Sequence, residues 1–369
     1  MRIHSIEAIA VDIPLDMNFG GATYSVLKRS TVVTRLRTDD GLESEVYNGD
    51  NREGGLEICH LIQDVLAPAV VGMDARQIER VWAAMAALTI PNGDRKLLLE
   101  AIACVDCALW DVFGKSVGRP VNELLGGYRR DLPILSIGGY YMEGKTLADI
   151  GREMEMYREA GMGGCKFKVG GLSAEADAER VRAARTAVGP DFMLAVDANR
   201  GWPAEEAIRF ARLIEDQDIA WFEEPCHWHD DAKQMARVRR AIRIPTNAGQ
   251  CEITSHGVRR LLDADAVDYI NVDVSECGGV TDWRRSAALA WASEVKLAHH
   301  EESQIAQHLL SAVPNGTWLE CFAHPSRDPV WQRMWANRPA PKDGKVDVTT
   351  GPGFGLELDW DMIARFRSN

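Results

Sequence analysis

Apolar and polar residues alternate over positions 2–14 and 31–48, and Asp39-Asp40-Gly41 interrupts the second stretch as a turn. Alternation of period two marks half-buried strands, so this part of the chain predicts an antiparallel sheet. Residues 56–70, 74–88 and 95–116 repeat instead at helical spacing. A sheet followed by helices predicts an α+β unit. Residues 18–29, with Gly20-Gly21 and no strong pattern, read as a mobile loop placed to cover a site.

From Asp131 onward the pattern changes to short apolar runs separated by helix-like stretches, with candidate strands near 132–138, 163–169, 192–197, 219–223, 242–247, 267–273, 294–299 and 317–321. Such runs predict buried parallel strands. Several stop on a polar group. Met193-Leu194-Ala195-Val196 ends on Asp197, Ile219-Ala220-Trp221-Phe222 on Glu223, and the run from Val267 on Asp273. Cys165-Lys166-Phe167-Lys168 belongs to the same series, while Ile242–Pro245 leads to Gln250 and Val295–Ala298 to His300. From Lys168 through Asp197, Glu223, Gln250 and Asp273 to His300 the gaps are 29, 26, 27, 23 and 27 residues, the room needed by one strand, one crossover helix and two loops. Groups repeated at that period converge on one end of a parallel barrel.

A chain of 369 residues suits two domains, one of them a barrel. The formal net charge of −13 argues against nucleic acid as a partner, since phosphate binding needs a basic face. A local lysine pair and a metal still leave room for an anionic substrate. With no signal-peptide pattern and no spanning segment, the expectation is a cytoplasmic protein without membrane contact. The eight cysteines are scattered, so reduced thiols are expected. Cys104 and Cys107 form a CxxC, but within a helical run that spacing simply puts two small residues on one buried face.

Asp197 and Glu223 would each bring a carboxylate to the barrel mouth, the oxygen environment a hard cation prefers. Their structural alternative is to cap the following helix. Lys166 and Lys168, two apart on a strand, share a face, and like-charge crowding is expected to lower the pKa of one by the presence of the other. His300 gains meaning from Asp273, one βα unit earlier, whose carboxylate can orient the ring. His299 is its rival.

Ala108-Leu109-Trp110-Asp111, Gly118-Arg119-Pro120 and Leu124-Leu125-Gly126-Gly127, followed in order by Lys166-Phe167-Lys168, Asp197-Ala198-Asn199, Glu223-Glu224-Pro225, Gly278-Gly279 and Gly351-Pro352-Gly353-Phe354-Gly355, resemble the enolase superfamily, and within it the mandelate racemase subgroup. The resemblance covers essentially the whole chain. It implies an α/β fold: a (β/α)7β TIM-like barrel with an α+β capping domain formed by the N-terminal part and the C-terminal tail. The expected boundaries are 1–127 for the cap, 128–325 for the barrel and 326–369 for the returning tail. It also implies Mg²⁺ held by Asp197, Glu223 and a third ligand, Lys168 as general base beside Lys166, and a catalytic His300–Asp273 pair. Glu320 is then a hydrogen-bond donor to the substrate carboxylate. Tyr24, Tyr47 and Asn199 are expected to touch substrate, and a homo-oligomer is expected.

The sequence departs from the family at the third ligand, where Ala248-Gly249-Gln250-Cys251-Glu252 carries a neutral amide in place of an acid. Either Gln250 serves through its oxygen or Glu252, on the same face by alternation, replaces it. Glu276 stands where muconate-lactonizing relatives have lysine. The resemblance implies a Mg²⁺-dependent lyase that removes the proton α to a carboxylate and eliminates the β-hydroxyl, as in acid-sugar dehydration. The alternatives are a racemase or epimerase using the same groups, and a non-catalytic carboxylate-binding member.

Overall fold

The computed structural model describes residues 1–49, 54–91 and 93–368, with Trp228 described by its backbone alone. Strands β1 (Ile3–Gly20), β2 (Ser25–Thr38) and β3 (Glu43–Asn48) form the antiparallel sheet in the order β1-β2-β3. The turn falls at Asp39-Asp40-Gly41, where the Thr38 amide donates to the Leu42 carbonyl.

The loop expected at 18–29 is mostly strand. β1 and β2 continue pairing through Phe19↔Val26 and Gly20↔Ser25, so only residues 21–24 turn. A register shift between Pro14 and Phe19 explains why the alternation is lost in the sequence while the ladder persists. The tip is also tied down: the amides of Gly20 and Tyr141 each donate to the other's carbonyl.

Helix Arg95–Val117 lies between the two domains and is buried along most of its length, including Cys104 and Cys107. Asp94 caps its start by accepting from the Leu97 amide, and Gly118 ends it in a left-handed conformation. The Ala108–Asp111 motif works as a joint. Trp110 Nε1 donates to Thr281 Oγ1 at 3.0 Å, and Asp111 Oδ1 accepts from the Phe354 amide at 2.8 Å. A Cβ on Gly353 would overlap Asp111, which explains the glycine there. None of the eight cysteines forms a disulfide.

The barrel consists of β4 (Asp131–Gly138), β5 (Gly164–Lys168), β6 (Met193–Asp197), β7 (Ile219–Glu223), β8 (Thr246–Ala248), β9 (Tyr269–Ile270), β10 (Lys296–Leu297) and β11 (Leu319–Cys321). They are parallel, follow chain order from β4 to β10, and β11 returns beside β4. A bridge from Leu297 to Gly316, just before β11, joins the two ends of the sheet. All eight expected strands are present, but β9 and β10 are shorter than their apolar runs, and β8 begins only after Pro245. Leu135, Ala195, Trp221 and Tyr269, from four of these strands, form a separate apolar cluster.

Strand β12 (Lys345–Asp347) pairs antiparallel with the start of β4. Helix Trp360–Phe366 follows, and the Ser368 amide donates to the Ala10 carbonyl in β1, so the tail ends on the cap. Among the described residues no helix is long and apolar enough to cross a membrane.

Candidate active site

In-register pairing sets the first part of the site. Lys168 pairs with Asp197 and Asp197 with Glu223 across β5, β6 and β7, so three ionisable side chains leave neighbouring strand ends. Lys168 Nζ lies 2.6 Å from Asp197 Oδ2, and Lys166 Nζ lies 2.8 Å from Glu223 Oε1, 2.6 Å from Glu320 Oε1 and 4.0 Å from Asp197 Oδ2. All five side chains are buried. Like-charge crowding acts as expected, Lys168 lowering the pKa of Lys166, but it does not decide the net shift. Burial does push both ammonium groups down, but Glu223 and Glu320 around Lys166, and Asp197 beside Lys168, outweigh it and hold both pKa values above the usual lysine range. Burial raises Asp197 too, yet Lys168 and Lys166 more than offset it and keep the carboxyl below its ordinary value. Glu223 moves the other way: burial, with Asp197 and Glu320 nearby, lifts it to about 8 against the pull of Lys166.

The donor set fits a hard divalent cation. Asp197 and Glu223 stand in register on neighbouring strands, with Lys166 Nζ within 4.0 Å of both, and the buried oxygens Asn199 Oδ1, Asn247 Oδ1 and Gln250 Oε1 have no hydrogen-bond partner among the described residues. Asp197 does not cap the following helix, which begins at Ala204; its Oδ1 accepts from the Asn199 amide at 2.8 Å in the turn after β6. Among the described residues no three His, Cys, Asp or Glu side chains cluster as a metal site. Gln250 has an amide oxygen to spare: its Nε2 donates to Glu224 Oε2 at 3.2 Å, leaving Oε1 unused. Glu252 is engaged elsewhere. The strand stops at Ala248, Gly249 takes φ 134°, and Glu252 turns outward to accept from Arg260 Nη2 at 2.7 Å. Alternation was the wrong rule past the strand end. Asn247, which donates to Glu223 Oε2 at 2.9 Å, went unnoticed in the sequence because β8 starts later than its apolar run.

His300 Nδ1 lies 2.8 Å from Asp273 Oδ2, while the other oxygen, Oδ1, accepts from the Ser275 amide at 2.8 Å. A ring that donates from Nδ1 leaves Nε2 with a lone pair. Burial lowers the His300 pKa to about 3, so the ring is neutral at physiological pH. His299 is fully buried and both its nitrogens serve backbone: Nδ1 meets the His300 carbonyl and Nε2 accepts from the Val274 amide. The two histidines are thereby separated. Glu301, which no pattern flagged, places Oε1 3.6 Å from His300 Nε2.

A cleft of about 520 Å³ between cap and barrel is lined by Tyr24, Asn48, Asn199, Gln250, Asp273 and His300, among others. Tyr24 reaches it from the cap turn, its ring 5.8 Å from Lys168 Nζ. A Cβ on Gly21 would overlap Tyr24 and press on Asn199, so the turn depends on that glycine for its close approach. Tyr47 does not line the cleft. Its ring is buried in the cap core, and it is Asn48, the next residue on β3, that reaches the cleft and donates to Ser275 Oγ at 3.0 Å. Glu276 sits on the wall, paired with Lys96 of the cap at 2.7 Å. A second hollow of about 770 Å³, on the other side of Tyr24, holds none of the ionisable groups above except through Tyr24 itself. Asn199, Arg200, Glu224, Glu301 and Glu302 all have positive φ, between 39° and 61°, and all follow barrel strand ends. Non-glycine residues keep such conformations where the surroundings impose them, commonly around active sites.

Compared with known proteins, residues 5–126 match the mandelate racemase/muconate lactonizing enzyme N-terminal domain, and residues 149–362 match the enolase C-terminal domain-like family. The chain belongs to the mandelate racemase/muconate lactonizing enzyme family. Within this family a protein from a marine actinobacterium, solved in complex with magnesium, is 43% identical, with 100% of this chain and 99% of that one aligned and a TM-score of 0.93. The 3,6-anhydro-α-L-galactonate cycloisomerase of Streptomyces coelicolor is 30% identical over 364 residues, 98% of this chain and 99% of its own. The arabinonate dehydratase of Saccharolobus solfataricus is 30% identical over 333 residues, 89% of this chain and 88% of its own. This family member therefore has acid-sugar dehydratases and cycloisomerases among its relatives, and magnesium is bound in related structures.

Proposed function

We propose that the protein is a Mg²⁺-dependent acid-sugar dehydratase, converting a sugar acid to its 2-keto-3-deoxy product. The observation that carries the reading is the convergence in one barrel mouth of Lys168 beside Asp197 and of His300 beside Asp273, from strands that are not neighbours in the sheet. Two groups able to move protons then flank a single substrate. Bound at Asp197, Glu223 and Gln250, Mg²⁺ would supply Lewis-acid stabilisation of the charge that develops on the substrate carboxylate. Lys168 or His300 takes the α-proton. His300, oriented through Nδ1 by Asp273, then gives the departing β-hydroxyl a proton from Nε2, one that the Nε2 lone pair has first accepted, either from the α-carbon or, where Lys168 takes the α-proton, from solvent. Glu320, whose pKa burial raises despite the attraction of Lys166, can hold a proton to donate to the substrate carboxylate. Tyr24, from the cap turn, and Asn199, from the barrel, orient the sugar chain.

Epimerisation or cycloisomerisation is the second reading. It is favoured by the same pair of bases and by the full-length similarity to a cycloisomerase. A panel of sugar acids in D₂O separates the readings. A 2-keto product supports dehydration, and deuterium entering at the α-carbon without loss of hydroxyl supports epimerisation. Neither product nor exchange, in protein loaded with metal, favours a carboxylate-binding member without catalysis.

Gln250 offers a sharper check. Gln250→Glu adds a negative charge to the ligand set and should lower the Mg²⁺ dissociation constant in calorimetric titration. The added carboxylate also reduces the net positive charge facing the developing anion, so kcat stays level or falls. Glu252→Gln, two residues on but paired with Arg260, should leave the affinity unchanged. If Glu252→Gln loses the metal and Gln250→Glu has no effect, the assignment of Gln250 is wrong.

A further inference from the structure

The segment that follows His300 is held by the cap through contacts that the proton transfers above do not use. Glu301 and Glu302 stand consecutively in left-handed backbone, at φ 49° and 47°. Their carboxylates account for this conformation. Glu302 accepts from Ser275 Oγ at 2.7 Å and from the amide of Gly49, at the end of β3. Glu301 is reached from β2: Arg29 Nη2 donates to its Oε2 at 2.8 Å, and both side chains are buried. Arg29 is itself fixed, with its guanidinium 4.4 Å from the Phe322 ring centroid and its Nε 3.5 Å from Asp328 Oδ1. The Glu301 amide donates to Glu320 Oε2 at 3.0 Å.

The His300 ring is thereby bracketed. Nδ1 faces Asp273 and Nε2 faces Glu301 Oε1, at 2.8 and 3.6 Å. Asp273 belongs to the barrel, but Glu301 is oriented by an arginine of the cap. A buried carboxylate without a fixed cationic partner is repelled by the Nε2 lone pair of the neutral ring, and once Nε2 has taken up a proton it would swing in to accept from it in competition with substrate. A cation that holds its far oxygen keeps the carboxylate close without letting it capture the ring.

We propose that Arg29 and Glu301 are positioning residues for His300, an ion pair through which the cap sets where Nε2 points. The proposal rests on His300 as the proton-transfer group of the function proposed above. It gives the cap a part in the proton transfer itself, in addition to covering the cleft. An ion pair that merely fastened cap to barrel would affect stability and KM and leave the ring alone.

Two measurements on the full chain separate these roles. In substrate-free protein with ¹⁵N-labelled histidine, the His300 ring signals are assigned by their loss in His300→Asn. Arg29→Gln and Glu301→Gln should each shift the Nε2 resonance, Arg29→Lys should return it toward wild type, and Arg35→Gln, a cap arginine paired with Glu45, should not move it. In turnover of the sugar acid found by the panel, Arg29→Gln should lower kcat roughly tenfold or more, up to the ~10²-fold that a 1 Å misplacement costs, with little change in KM. Combined with His300→Asn it should add no further loss, since groups that act as a unit are not additive. An Nε2 resonance unmoved in folded Glu301→Gln, or losses that multiply in the double variant, would overturn the proposal. Should Arg29→Gln fail to fold, Glu301→Gln, which keeps the side-chain shape, decides. A wild-type protein that turns over no sugar acid would count against the dehydratase reading alone, and the ring resonances would still decide this one.

Discussion

Lys168→Ala and His300→Asn each lower turnover at least ~10²-fold, the usual scale for a general acid or base. The structural reason differs between the two. Lys168 is buried, 2.6 Å from Asp197, so its removal takes away the amine that would receive the α-proton together with one of the charges balancing the carboxylates. Metal affinity in Lys168→Ala should therefore hold or rise while turnover collapses. That combination separates loss of the base from collapse of the site. In His300→Asn the loss falls on the group whose neutral ring accepts a proton at Nε2 and can then pass it on. Steady-state kinetics and metal titration on the same preparations check both, and near wild-type kcat in either variant removes that residue from the mechanism.

Removing the metal should be equally severe. Chelation abolishes turnover and Mg²⁺ restores it, because the α-proton of a carboxylate is so weakly acidic that catalysis needs strong charge stabilisation from the site. The lysines add a second reason. While Asp197 pairs with Lys168, and Glu223 and Glu320 pair with Lys166, both amines are stabilised as ammonium ions, and an ammonium cannot accept a proton. A divalent cation held by Asp197 would compete for the oxygens that keep Lys168 charged and would add a repelling charge. Activity assayed after dialysis against chelator, with metal content measured on the same sample, gives the result. Undiminished turnover in metal-free protein would refute it.

The positions of Lys168, Asp197, Glu223, Asp273 and His300 were legible because a βα unit has a nearly fixed length and the strand ends are where its apolar run stops. The exceptions share one cause: each lies where regular periodicity ends. Glu252 was placed by alternation, but Gly249 had already reversed the chain. Tyr47 is expected to touch substrate, but Asn48 reaches the cleft instead: at the last residues of β3 both are buried and alternation no longer distinguishes the faces. The 18–29 hairpin was obscured by an irregularity in register. Glu301 carries no periodic signal, since it lies in left-handed backbone between a strand and a helix. The protonation of the lysines depends on which carboxylates meet them across strands, and this appears only once the strands are aligned.

The ladders around the barrel are unequal. β5 and β6 pair over their full length, from Gly164↔Met193 to Lys168↔Asp197, whereas β9 and β10 share only Tyr269 and Ile270 with Lys296 and Leu297, and one bridge at Leu297 closes the ring. Local opening costs least where few backbone hydrogen bonds must break. The wall carrying the lysines and the carboxylate pair is thus the cooperative, slowly exchanging part of the barrel, and the wall carrying Asp273 and His300 is the compliant part. Amide hydrogen exchange should run faster at Leu297 and Thr317 than at Phe167 and Val196; equal protection would mean that the contacts between cap and barrel stiffen the weaker wall.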